Sequence, residues 1–143
     1  MATVAQTKNE TKTAVRPTLL RRAMWGNAIF SGVSGIGLAL FSGTLTEMLG
    51  ISYPTVLRIV GIVLVICAAD LAWVTSGNDF DVRWGWTAVV LDLVWVIGSG
   101  VILAFELLPL TTLGWWMVAI VADIVFLFAV VQAVGIYQIR QAC

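Results

Sequence analysis

The sequence predicts an all-α membrane protein, an up-down bundle of four transmembrane helices with both termini on the cytoplasmic side. Three observations carry that prediction. The chain is 60% hydrophobic and only 11% charged, where soluble domains are ~45–50% apolar and ~25% charged. Its apolar residues gather into four stretches of spanning length, roughly 20 residues for a hydrocarbon core of about 30 Å. The stretches are continuous rather than alternating, and lipid tolerates only helices or closed barrels, so they read as helices.

The elements follow in chain order. Residues 1–17, rich in Thr, Ala and Lys, read as a flexible or interfacial N-terminal arm, and residues 18–143 as the transmembrane domain. The first span is expected at 23–41, with Pro17 and Thr18 signalling a helix start upstream. A cleaved leader is not expected, because no small-x-small site follows Leu40. The second span is expected at 55–75, just after Pro54; the third at 85–107, stopping near Pro109; the fourth at 113–137. The links at 42–54, 76–84 and 108–112 are short, which makes successive helices antiparallel neighbours and leaves no room for a soluble domain.

Lysine and arginine set the orientation. Lys8, Lys12, Arg16, Arg21, Arg22, Arg83 and Arg140 fall on one side of the predicted spans and only Arg58 towards the other. Positive residues stay in the cytoplasm, so a multi-pass protein of the cell's inner (plasma) membrane is expected. Trp25, Trp73, Trp84 and Trp86 then mark the inner interface, and Trp115 and Trp116 the outer one.

Composition also excludes. The formal net charge is zero and no basic cluster is interleaved with aromatics, so no nucleic-acid partner is expected. Cys67 lies within a span and Cys143 is the last residue, which argues against a disulfide framework. There is no histidine, the usual haem ligand and the commonest zinc and copper ligand. No cofactor or metal is expected; membrane lipid is the expected small-molecule contact. The chain carries no phosphate loop and no Cys-x-x-Cys. Gly32–Gly35 lacks both the last spacer of a nucleophile elbow and its triad partners. An enzyme is not expected.

The polar residues within the spans are the candidates for function. An Asp near the centre of a span costs roughly 2.5–3.5 kcal/mol on an insertion scale, so such residues normally face protein or water. Counted inward at 1.5 Å per residue, Asn27, Asp70, Asp92 and Gln132 lie in one layer roughly 7–11 Å from the cytoplasmic ends, one from each span. Ser34, Ser99 and Asp123 fall near mid-membrane, and Arg58 and Glu106 near the outer end. Asp92, Ser99 and Glu106 share one stripe of the third helix beside Trp95, and Asn27, Ser31 and Ser34 form another on the first. One reading makes these a proton- or cation-binding seam with Asp92, Ser99 and Asp123 along it and an outer Arg58–Glu106 ion pair. The other makes them hydrogen-bonding glue between helices.

Small residues add a packing signal. Gly32 and Gly35, with Ser31 one turn before Gly35, admit a close neighbour helix. Gly61 and Asp70 are nine residues apart and point in opposite directions, as do Asp123 and Gln132. Helices that seek contact on two sides suggest a homodimer or a larger membrane complex. The halves also look alike: each has a Gly/Ser cluster (Gly32–Gly37, Gly98–Gly100) on its first helix and an Ala-Asp pair (Ala69-Asp70, Ala122-Asp123) on its second. That pattern fits either a parallel repeat or coincidence in a biased composition.

The Arg-rich entry Leu19-Leu20-Arg21-Arg22, the Gly/Ser-rich first helix, Leu57-Arg58-Ile59-Val60-Gly61 and the late Gln132–Gly135 resemble small bacterial four-helix inner-membrane proteins of unassigned function. The layout over residues 19–140 is also loosely similar to DoxX-type proteins. Those carry a lysine soon after the glycines of the first helix and this chain does not, so the resemblance carries over no site residue. Two expectations for function remain. One is a non-enzymatic accessory, assembly or interaction subunit; the other is binding or transport of a small solute, a proton or cation, or a lipophilic ligand through the seam.

Overall fold

The computed structural model describes residues 2–78 and 81–142, the side chains of residues 2–18 and 142 excepted. Every regular element among them is helical: α1 (Ala2–Leu40), α2 (Ser42–Leu49), α3 (Pro54–Ser76), α4 (Val82–Ala104) and α5 (Thr112–Ala142). Four helical segments are long and apolar enough to cross a membrane: Leu19–Leu40, Pro54–Ser76, Val82–Ala104 and Thr112–Gln141. The protein is therefore an all-α, multi-pass membrane protein. The start of the first span, the end of the second, the start of the third and the end of the fourth meet at one end of the molecule. There Leu20 touches Gly85 and Gly135, and Arg21 reaches the carbonyl of Gly77. The spans thus alternate in direction, and both ends of the four-span unit lie on the same side.

Local chemistry sets the boundaries. Pro54 opens α3 at its first turn, where its missing N–H costs nothing. Asp81 caps α4, its carboxylate accepting from the Arg83 N–H at 3.0 Å. The first span starts at Leu19 rather than 23 and the third at Val82 rather than 85, and two span ends differ as well. The third span stops at Ala104 rather than 107, because Glu106 turns left-handed (φ 48°) and Leu107 N–H bonds back to the Ile102 carbonyl, closing the helix end. The fourth runs on past 137, with Arg140 seated 5.6 Å from the Trp86 ring. The backbone of α1 is helical from Ala2, so from that residue onward the segment 1–17 has helical backbone.

The helix α2 is an addition to the sequence reading. It buries Ser42, Thr46 and Leu49 on one face and ends at Gly50, whose φ of 80° suits glycine. A Cβ on Gly50 would also stand 2.7 Å from the Pro109 carbonyl oxygen. Thr111 completes this clasp. Its N–H donates to the Leu49 carbonyl and its hydroxyl to the Met48 carbonyl, while the hydroxyl oxygen accepts from the Gly114 N–H at the start of α5. The two loops opposite the termini are thereby locked together.

In space the principal packing order is α3, α1, α5, α4, with α4 meeting α1 only narrowly and α3 making at most a fringe contact with α4 or α5. The α1–α3 crossing is tight: a Cβ on Gly61 would lie 2.6 Å from both the Gly35 carbonyl oxygen and the Ala39 nitrogen. Small residues permit this approach, as the glycines of the first span suggested. Between α1 and α5, Phe128 fills the notch over Gly26 and tilts against Phe30 with ring centroids 5.9 Å apart. The densest apolar core sits at the terminal end, where Leu20, Met24, Val89 and Ile136 gather.

Candidate functional site

The buried polar centre joins three helices at one point. Asp92 of α4 accepts two hydrogen bonds on Oδ2, from Asn27 Nδ2 of α1 at 2.7 Å and from Gln132 Nε2 of α5 at 3.2 Å. Ser31 Oγ, one turn along α1, donates to Asn27 Oδ1 at 3.3 Å. Asn27, Asp92 and Gln132 are all buried, Gln132 completely. Its Oε1 has no hydrogen-bond partner. Ser99 is buried two turns along the same face of α4 as Asp92. The expected cytoplasmic-end layer therefore exists with three of its four members.

Asp70 is not in that layer, and this corrects the sequence reading. The α3 helix presents Gly61, Ala68 and Thr75 to its neighbours. Asp70, nine residues from Gly61, lies half a turn away and is exposed with no hydrogen bond to a described residue. Asp123 is displaced for the same reason. Gln132 faces inward, so Asp123, nine residues earlier, emerges on the opposite side of α5, exposed and without a hydrogen bond to a described residue. A seam through Asp92, Ser99 and Asp123 does not form. The outer Arg58–Glu106 pair does not form either: Arg58 is on α3 and Glu106 just beyond α4, helices that scarcely meet, and both side chains are exposed. The ion pair found among the described residues is Arg83–Asp81 at 3.9 Å, at the surface.

Some interactions escaped the sequence reading. Arg21, used there for orientation and in the Arg-rich entry, donates Nε to the Thr75 carbonyl at 2.7 Å and Nη2 to the Gly77 carbonyl. It thus neutralises carbonyls left open at the end of α3, where a cation is favoured. Its signal was position, since Arg21 just precedes the first span as expected at 23–41, at the end of the molecule where the second span finishes. The Thr111 clasp is the other such interaction, and the threonine just ahead of the fourth apolar run was its signal.

Chemically the Asp92 centre is a hydrogen-bonded knot. Among the described residues no group of three or more His, Cys, Asp and Glu side chains could hold a metal ion. One cleft lies at the loop end between Ile102, Glu106, Pro109 and Trp115, and a second on the outer surface between Ala23 of α1 and Ile124 and Phe128 of α5. Neither touches Asp92 or Asp123. Fold and centre together define a four-span membrane protein whose buried polar groups bind helix to helix. Comparison with family models, with curated proteins and with solved structures finds no match.

Proposed function

We propose that this protein is a non-enzymatic accessory or interaction subunit of the inner membrane, with both termini in the cytoplasm. The observation that carries the proposal is the division of its intramembrane carboxylates. Asp92 is enclosed and satisfied by Asn27 and Gln132, whereas Asp70 and Asp123 stand on outward faces of α3 and α5 with no hydrogen bond to a described residue. Polar groups in hydrocarbon are costly and normally mark a contact with protein or water. Outward carboxylates on an apolar scaffold suit a surface that docks another membrane protein. The excess of Arg21, Arg22, Arg83 and Arg140 at the terminal end, against Arg58 alone at the other, supports the stated orientation.

The test is assembly size in native membranes. Extracted in a mild detergent and run on a native gel, the wild-type chain is expected above monomer size. An Asp70→Leu/Asp123→Val double variant should run as a monomer at equal expression. A wild-type monomer across several mild detergents would overturn the proposal. So would ion flux through reconstituted vesicles that Asp92→Asn abolishes, which would restore a transport reading.

A further inference from the structure

We infer that the cleft at the loop end, between Glu106 and Trp115, is a binding site for an organic ammonium group. The inference stands apart from the accessory reading and goes beyond it. It begins with Glu106, whose left-handed backbone (φ 48°) is the one such case outside glycine among the described residues. That position closes α4, and glycine would occupy it without steric cost. A glutamate there instead fixes a carboxylate in the cleft wall, and backbone strain of this kind gathers at ligand sites. The expected partner, Arg58, does not reach it, and Glu106 makes no ion pair with a described residue.

The cleft encloses about 250 Å³, less than the ~300–1,000 Å³ of a site for a whole drug-sized ligand, so it suits a head group. Glu106 is the one charged residue lining it; the rest of the wall is Ile102 and Leu103 of α4, residues 108–110 of the link, and the Trp115 indole of α5. These walls are set before a ligand arrives. Pro109 lies against Gly50 of the clasp, and the Trp115 N–H donates to the Thr111 carbonyl at 2.8 Å. The Trp116 ring meets that of Trp115 near a right angle, with centroids 5.2 Å apart. A preorganised wall loses little freedom on binding.

Chemistry selects the ligand. A carboxylate and an indole in one apolar cleft both attract a cation and offer an anion nothing. An inorganic ion fits poorly. Calcium takes ~6–8 oxygen ligands, and no group of three or more His, Cys, Asp and Glu stands here among the described residues. An alkylammonium spreads its charge over methyl groups, which rest on the aliphatic wall and the indole while Glu106 balances the charge. Aromatic cages hold quaternary ammonium groups in this way. One indole in place of a full cage makes the binding weak and quickly exchanged. Such a group is carried by free solutes and by choline-bearing lipids alike.

The experiment titrates the purified full chain in a non-ionic detergent with choline chloride, sodium chloride holding ionic strength constant. Binding is read by saturation transfer to the trimethylammonium protons. Choline should bind saturably, and dimethylbutanol, its uncharged carbon isostere, several-fold more weakly. Trp115→Leu should weaken choline binding about two- to fivefold, the loss of an exposed cation–π contact. Glu106→Gln should weaken it by up to about fivefold, the loss of a surface ion pair. Both side chains are exposed, so both variants keep the fold. Glu106→Gly removes carboxylate and strain together: it should bind as poorly as Glu106→Gln yet melt no lower than wild type, which a role in helix capping alone does not predict. Nanodiscs separate the sources. A Glu106-dependent choline signal seen in phosphatidylglycerol discs and suppressed in phosphatidylcholine discs assigns the cleft to a lipid head; one equal in both assigns it to a free solute. Absence of choline binding to wild type would overturn the inference, as would equal binding of dimethylbutanol, or binding unchanged by Glu106→Gln or by Trp115→Leu. None of these outcomes bears on assembly size, by which the accessory reading stands or falls.

Discussion

Replacing Asp92 by leucine tests whether the buried centre is structural. The substitution keeps the side chain's approximate shape and removes the shared acceptor of Asn27 and Gln132. Two interhelical hydrogen bonds disappear, at ~0.6 kcal/mol each on average in a membrane protein. Two buried amides also lose their acceptor, and an orphaned polar group in a protein interior costs about 1–3 kcal/mol. Partial relief by neighbouring groups brings the expected loss to about 1–3 kcal/mol. Asp92→Asn keeps an acceptor oxygen at the same place and should cost less than about 1 kcal/mol. The sharper comparison is the triple variant Asn27→Leu/Asp92→Leu/Gln132→Leu. With both amides and their shared acceptor gone, and only the half-buried Ser31 hydroxyl losing a partner, it should recover much of the loss, since an apolar replacement of a buried polar cluster is often neutral. The assay is equilibrium unfolding in mixed micelles, followed by tryptophan fluorescence and helical circular dichroism. Asp92→Leu at wild-type stability would refute the structural role, as would Asp92→Asn and Asp92→Leu costing the same.

Other perturbations follow from geometry. Gly61→Ala places a methyl 2.6 Å from backbone atoms of α1; it should destabilise by about 1–3 kcal/mol, measured by the same unfolding assay, whereas Gly98→Ala, with nothing within 4 Å, should be neutral or slightly stabilising. Gly50→Ala combines a left-handed backbone with a 2.7 Å approach to the Pro109 carbonyl and should cost about 1–3 kcal/mol, with faster amide exchange at Ile51 and Thr111. Arg21→Ala removes both side-chain bonds to the end of α3 and should cost about 1–2 kcal/mol, opening residues 73–77 to exchange first.

Much of the architecture was legible because it depends on quantities a sequence states directly. Run length gave the number of spans, short links gave their alternation, and Gly32 and Gly35 announced the tight crossing that α3 makes through Gly61. The α2 helix was not read because eight residues are too few for a lipid-length signal, and its fixing interactions come from Thr111, some sixty positions away. The Arg58–Glu106 pair was expected from equal depth, a coordinate along the membrane normal. It failed on lateral position, which depth does not contain: the second and third spans, though consecutive, are not close neighbours.

The carboxylates show which signal fixes lateral direction. In water a helix turns its apolar face inward, but in lipid the surroundings are as apolar as the interior, and contact is decided by close packing of small residues. Each span carries such a stripe. On α3 it is Gly61, Ala68 and Thr75, at intervals of seven. On α4 it is Gly85, Ala88, Asp92 and Ser99. On α5 it runs through Ala122, Val125, Ala129 and Gln132. Asp92 lies within its stripe and is buried. Asp70 stands half a turn from Gly61, and Asp123 half a turn from Gln132, so both are exposed. Nine-residue spacing shows only that two side chains oppose one another; the small residues say which of the two faces inward. Applied to α5, the rule leaves outward a face that is bulky and apolar from Trp116 to Tyr137, with Asp123 within it.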